Sequence, residues 1–249
     1  MTKCRLRTRV ALVFGIVVFT AGGAANAQDG AAAWKGGKMY VPASLSISGV
    51  CDSESGGTCA AFIKPGKHPV IVYLHGCGGL RTPRTFLDLG AIVIAPDSFA
   101  GGGGCKPDAA HMLSLVNARY ADVSHAVGQI QAAAWADPDK LVLAGFSNGG
   151  QVTASYPGSE FKARVIVAWT CNNPRAPSQN GVRGSGPALA VLGTADDFYR
   201  KIGISGDCGS ALADRAGSRS VLIEGGTHEI LDHADTRVAV SGFVRSVIQ

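Results

Sequence analysis

The chain has 249 residues, 46% of them hydrophobic and 16% charged, with a formal net charge of +5. That length suits one α/β domain with a large core, and no internal repeat, low-complexity tract or long charged run interrupts it. Four of the cations, Lys3, Arg5, Arg7 and Arg9, fall within residues 1–27, where there is no acid. The remainder is therefore nearly neutral, and a nucleic-acid or anionic-membrane partner loses its main support.

The four cations precede an apolar run from Val10 to Thr20 and then small residues ending in Ala25-Asn26-Ala27. This is the layout of a secretory signal peptide, with cleavage expected after Ala27, and residues 28–249 are expected to form a single domain. The apolar run is well short of the ~20 residues that span a bilayer, so no stable membrane insertion is expected once the leader is removed. Beyond the leader stand six cysteines, Cys51, Cys59, Cys77, Cys105, Cys171 and Cys208. An even number in an exported chain, periplasmic or secreted, points to disulfides. No C-x-x-C pair or cysteine-histidine cluster supports a zinc site, and no cofactor is expected.

Residues Lys38 to Ser46 alternate weakly, as an edge strand does, and Cys51 to Cys59 enclose a polar, glycine-rich loop. Pro69-Val-Ile-Val-Tyr-Leu-His75 is a continuous apolar run of the kind found in a strand covered on both faces. It ends in His75-Gly-Cys-Gly-Gly79. A second such run, Ala91 to Asp97, leads to glycines 101–104 and Cys105. Between Met112 and Trp135 the apolar residues Met112, Val116, Tyr120, Val123, Val127, Ile130 and Ala134 recur every three or four positions, which predicts a long helix with one buried face. Asp137-Pro138-Asp139 reads as a turn.

Lys140-Leu-Val-Leu-Ala then runs into Gly145-Phe146-Ser147-Asn148-Gly149, a G-x-S-x-G pattern between a strand and a helix ending near Tyr156. A sharp strand-to-helix turn pushes its apical side chain out of the sheet and tolerates only small neighbours, so Ser147 is the candidate nucleophile. Further strands are expected at Arg164–Thr170, Ala188–Leu192 and Ser220–Ile223, and a last helix at about Ala234–Ile248. Strands alternating with helices imply a mainly parallel, doubly wound sheet with helices on both faces, and active sites of such sheets lie beyond the strands' carboxyl ends.

A serine hydroxyl needs an imidazole to take its proton and a carboxylate to orient that imidazole. In the elbow architecture they follow in the order Ser, Asp, His. Gly193-Thr194-Ala195-Asp196-Asp197 and Gly226-Thr227-His228 supply them, each after a predicted strand. Asp196 is preferred to Asp197 because it stands closer to the strand end, and His228 is the one histidine of six on a loop directly after a strand at that edge. The expected oxyanion donors are the backbone N–H groups of Asn148 and Cys77. His75 is given a structural place.

Taken together, Pro69–Gly79, Ala95-Pro-Asp-Ser-Phe99, Gly145–Gly150, Gly193–Asp196 and Gly226–His228 resemble the α/β-hydrolase fold of the dienelactone hydrolase-like family, over about residue 38 to the C-terminus. Dienelactone hydrolases proper use a cysteine nucleophile where this chain has Ser147. The resemblance therefore implies a serine carboxylic-ester hydrolase rather than an enzyme for dienelactone itself. The strand order of that family implies the pairs Cys77–Cys105 and Cys171–Cys208, with Cys51–Cys59 closing a local loop; a free Cys77 thiol beside the nucleophile is the alternative. The place where a large cap domain is usually inserted offers only the 17 residues Cys171–Pro187, so the site is expected to be open, for small or polymer-borne esters. Candidate lining residues are Phe146, Trp169, Phe198 and Tyr199, with Arg175, Arg183, Arg200 and Lys201 at the rim. A peptidase or acyltransferase would use the same triad, and a catalytically silent binding protein is the non-enzyme alternative.

Overall fold

The computed structural model describes residues 30–249 except 50, 55–57, 175, 176, 202 and 205. The expected signal peptide and Arg175 lie outside the described residues. Helix α1 (Gly30–Gly36) opens the described chain, followed by strands β1 (Lys38–Val41), β2 (Cys51–Glu54), β3 (His68–Leu74) and β4 (Ile92–Ala95). Helix α2 (Ala109–Ala132), strand β5 (Ala136–Phe146), helix α3 (Asn148–Ser155), and strands β6 (Ala163–Val167) and β7 (Ala188–Gly193) come next. Short helices α4 (Asp197–Lys201) and α5 (Gly209–Leu212), strand β8 (Arg219–Ile223) and helix α6 (Ala234–Ile248) complete it. The strands form one sheet in the order β2-β1-β4-β3-β5-β6-β7-β8. From β4 to β8 neighbours are parallel, while β1 runs antiparallel to both β2 and β4. This is the α/β-hydrolase fold. Between β6 and β7 the described residues hold only a short 3-10 turn, Pro177–Gln179.

Alternation along the central strands sends side chains to two cores. Ile71, Tyr73, Val142 and Ala144 face α6 through Val240, Phe243 and Val244. Val70, Val72, Leu74, Leu141 and Leu143 face α2 and α3 through Val116, Val123, Val127, Ile130 and Val152. Each such aliphatic side chain stabilises the fold by about 1.5–3 kcal/mol on burial, so the central strands are its most firmly held part.

Three local expectations are corrected. Cys51–Glu54 is a strand rather than a loop, and it takes the outer place, so β1 lies one strand in from the edge. The signal was hidden because Cys-Asp-Ser-Glu is a polar run whose ladder partner, Lys38–Val41, lies ten or more residues upstream. The Asp137-Pro138-Asp139 turn is absorbed into β5 as an irregular stretch, where the Asp137 carboxylate accepts the Asp139 N–H at 3.1 Å and the register against β3 shifts. Helix α2 starts three residues early because Asp108 caps it, accepting the His111 N–H at 2.7 Å.

Candidate active site

Leu74, Phe146, Gly193 and Ile223 end β3, β5, β7 and β8, so the loops that follow all open at one edge of the sheet. At the end of β5, Ser147 holds φ 57° and ψ −119°, a conformation that costs a non-glycine residue about 1–3 kcal/mol. Packing around the turn enforces it. A Cβ on Gly145 would lie 2.2 Å from the Gly149 carbonyl oxygen, and one on Gly149 would lie 2.0 Å from the Leu74 carbonyl oxygen. Only glycine lets α3 turn back so close to β3 and β5.

The Asp196 Oδ2 lies 2.8 Å from His228 Nδ1, and His228 Nε2 lies 2.9 Å from Ser147 Oγ. An ionised carboxylate only accepts, so Nδ1 carries the proton and Nε2 presents its lone pair to the serine hydroxyl. Asp196 is also fixed through Oδ1, which accepts the Phe198 N–H at 3.1 Å. The two partner loops are seated on each other: Ala195 donates to the Gly226 carbonyl at 2.9 Å. Asp197 turns outward and pairs with Lys201 at 2.7 Å on an exposed face.

The dienelactone hydrolase family model matches residues 57–205, a span that takes in Ser147 and Asp196 and stops short of His228. The chain belongs to the dienelactone hydrolase family. Solved structures similar to this family member include esterase PE8, with 17% identity over 73% of this chain and 94% of that one at a TM-score of 0.53. An acetyl xylan esterase from Paenibacillus sp. R4 has 17% identity over 86% and 85% at 0.54. A putative dienelactone hydrolase from Klebsiella pneumoniae has 16% identity over 74% and 88% at 0.52. At such identities they speak for the fold alone. No curated protein matches the chain.

In this dienelactone hydrolase-family chain a cleft of about 370 Å³ opens at Ser147, toward the small end for ligand sites. Its walls are the Cys77–Cys105 disulfide, Met112 and Leu113 of α2, Trp169, and Phe198 and Tyr199 of α4. Gln151 and Gln179 line it too, bonded to each other at 2.8 Å. Trp169 and Tyr199 are buried and meet edge to face, with centroids 5.3 Å apart. The Tyr199 hydroxyl reaches Ser147, and burial pushes its pKa well up, so it stays protonated. Phe198 stacks on the His228 ring while remaining 49% exposed. Phe146 flanks the same ring from the strand side, with centroids 5.5 Å apart. Of the expected rim cations, Lys201 pairs with Asp197, Arg183 bonds the Ser178 carbonyl, and Arg200 lines a neighbouring depression beyond Tyr199.

The Cys77 loop is pressed onto the elbow, since a Cβ on Gly76 would stand 3.1 Å from Ser147 Cβ. His75 is buried beneath it. Its Nδ1 lies 2.7 Å from the Gly76 carbonyl, which can only accept, and its Nε2 accepts the Ser98 N–H at 3.1 Å. Burial pushes the imidazole pKa below its ordinary value, against Asp97, which lies 3.4 Å from Nε2. The disulfides are Cys51–Cys59, Cys77–Cys105 and Cys171–Cys208, as an oxidising environment permits.

Sequence reasoning passed over Gln151, Gln179, Met112 and Leu113 as cleft walls, and Arg119 with Asp122 beneath the site. A signal for Arg119 was present: it stands three residues after Val116 and four before Val123, on the buried face of α2. A cation at such a position demands partners.

Proposed function

We propose that the chain is an exported serine carboxylesterase. Ser147 is the nucleophile, His228 the general base and then acid, Asp196 the group that orients the imidazole, and the N–H groups of Cys77 and Asn148 the oxyanion donors. The single observation carrying this reading is the unbroken hydrogen-bond chain from Asp196 through His228 to Ser147, at 2.8 and 2.9 Å. As Ser147 Oγ attacks the ester carbonyl, its proton passes to His228 Nε2, and the carbonyl oxygen becomes an oxyanion. Asn148 is the first residue of α3, where a backbone N–H has no intrahelical partner and the helix dipole favours negative charge. His228 then protonates the departing alkoxide, leaving an acyl-Ser147 ester. A water, deprotonated by the same nitrogen, releases the acid.

Family membership supports hydrolysis, and the three disulfides support a compartment outside the reducing cytosol, whether periplasmic or extracellular. The small cleft and the absence of an inserted domain between β6 and β7 among the described residues favour small esters, or esters presented on a polymer surface. Labelling by a fluorophosphonate tests the nucleophile: wild-type protein is expected to label and Ser147→Ala to lose both the label and hydrolysis of p-nitrophenyl acetate. An unlabelled wild type, or undiminished labelling of the variant, removes the reading. Parallel assays with an aminoacyl amide and an alcohol acceptor separate esterase from peptidase and acyltransferase.

A further inference from the structure

Arg119 sits in the middle of α2 with no exposed surface, an unusual place for a guanidinium. Its hydrogen bonds all lead to the catalytic edge of the sheet. Nε donates to Ser98 Oγ at 2.9 Å, Nη1 to Asn148 Oδ1 at 2.5 Å, and Nη2 to the His75 carbonyl at 2.8 Å. The two last acceptors belong to different segments. The His75 carbonyl begins the Gly76-Cys77 turn, and Asn148 is the first residue of α3. Those segments also touch: a Cβ on Gly149 would stand 2.7 Å from the His75 carbonyl oxygen. Asp122, one helical turn on and 1% exposed, supplies a compensating negative charge. Burial brings the Arg119 pKa down to about 10, so it remains a cation at neutral pH.

We propose that Arg119 is the positioning residue of the oxyanion hole: its rigid fork joins the His75 carbonyl to the Asn148 side chain and so fixes the spacing of the Cys77 and Asn148 N–H donors. This rests on the esterase reading above. A planar guanidinium suits the task because its donors diverge in one fixed geometry, which a lysine ammonium does not reproduce. Arg119 itself touches no reacting atom. Its effect passes through the oxyanion donors, and because removing a single oxyanion donor elsewhere costs about 10²–10³ in kcat, loosening the spacing of these two is expected to cost about 10–100-fold.

Steady-state hydrolysis of p-nitrophenyl acetate by Arg119→Lys, Asn148→Ala and the double variant tests this, together with affinity for a trifluoromethyl ketone, whose adduct with Ser147 bears an oxyanion. The expected result for Arg119→Lys is a kcat lowered about 10–100-fold with KM within about threefold, and ketone affinity lowered in parallel. Asn148→Ala keeps the backbone N–H but cuts one arm of the fork, so the double variant should lose less than the product of the single losses. Wild-type kcat in a folded Arg119→Lys, a loss carried by KM alone, or strict additivity would overturn the proposal. Should Arg119→Lys fail to fold, Asn148→Ala decides: an unchanged kcat and ketone affinity overturns it, and the parallel loss supports it. Fluorophosphonate labelling of wild type keeps the two readings apart. Unlabelled wild type removes the esterase reading and this proposal with it, whereas labelled wild type with an unchanged Arg119→Lys removes this proposal alone.

Discussion

Phe198 lies flat against the imidazole of His228, with ring centroids 4.6 Å apart and planes at 25°. His228 thus has Phe198 stacked on one side, Tyr199 edge-on at 5.2 Å and the Asp196 carboxylate behind it, leaving Nε2 aimed at Ser147. The aromatic clamp and the hydrogen bond act together: the carboxylate sets the tautomer, and the stack limits the tilt of the ring.

Phe198→Ala is therefore expected to lower kcat/KM for a small ester by about 3–10-fold, since such a ring pair is worth about 0.5–1.5 kcal/mol. Phe198 is half exposed, so its removal should shift the melting temperature little. A variant with full activity would show that the hydrogen bonds alone hold the ring, and a large loss of stability would show that Phe198 serves packing instead.

Asp122 gives stability a pH dependence. Burial pushes its carboxyl from the ordinary 3.8 up to about 6, with Ser98 and the Arg119 charge opposing. An acid that binds its proton more tightly when folded contributes stability that is complete below its unfolded pKa and lost as pH rises through its folded pKa. The window is thus about pH 4 to 6, and the loss approaches about 3 kcal/mol at neutral pH. Asp122→Asn cannot titrate, so its stability relative to wild type should rise by about 2–3 kcal/mol between pH 4 and pH 7, whatever constant offset the substitution brings. Urea unfolding at pH 4, 5.5 and 7 measures this. A difference that stays flat across those values would mean that Asp122 does not titrate as described.

The parts of the site most legible in sequence were those set by local chain geometry. Gly145, Ser147 and Gly149 are read from a turn whose steric demands are local, and Asp196 and His228 from their places just after apolar strands. The apolar runs of β3 to β7 and the periodicity of α2 and α6 carried the fold in the same way. What escaped depends on contacts between distant segments. Arg119 reaches its acceptors across 21, 29 and 44 positions of sequence, and no spacing rule encodes that. Gln151 and Gln179 become cleft walls only because α3 and the turn after β6 converge. The short polar strand β2 exists through its pairing with β1 rather than through any propensity of its own.

Two glycines in similar helical settings should respond in opposite ways. Gly149→Ala is expected to abolish folding or cost more than about 4 kcal/mol, because backbone of β3 cannot retreat from a Cβ only 2.0 Å from the Leu74 oxygen. Gly128, on the exposed side of α2, has no atom within 4 Å of its missing Cβ. Gly128→Ala should raise stability by about 0.5–1 kcal/mol through helix propensity alone, with activity unchanged. Thermal melts of both variants test the pair. A well-folded Gly149→Ala would show that the elbow can open, contrary to the packing described.

The Cys77–Cys105 disulfide borders the cleft, and Cys77 is exposed, whereas Cys171 and Cys208 are buried at 3% and 1%. Mild reductant on the folded protein should therefore open the first bond and spare Cys171–Cys208. Chain-entropy arguments put a loop of this size at about 3–4 kcal/mol, so the protein is expected to survive the loss while the Gly76–Gly79 turn loosens. If Cys77 donates its N–H to the oxyanion, kcat should fall about tenfold or more on reduction, with KM nearly constant, because the affected interaction forms in the transition state. Alkylation followed by peptide mass spectrometry identifies which thiols were released, and activity measured on the same samples links the two. Full kcat in protein alkylated at Cys77 and Cys105 would remove the Cys77 amide from the oxyanion hole.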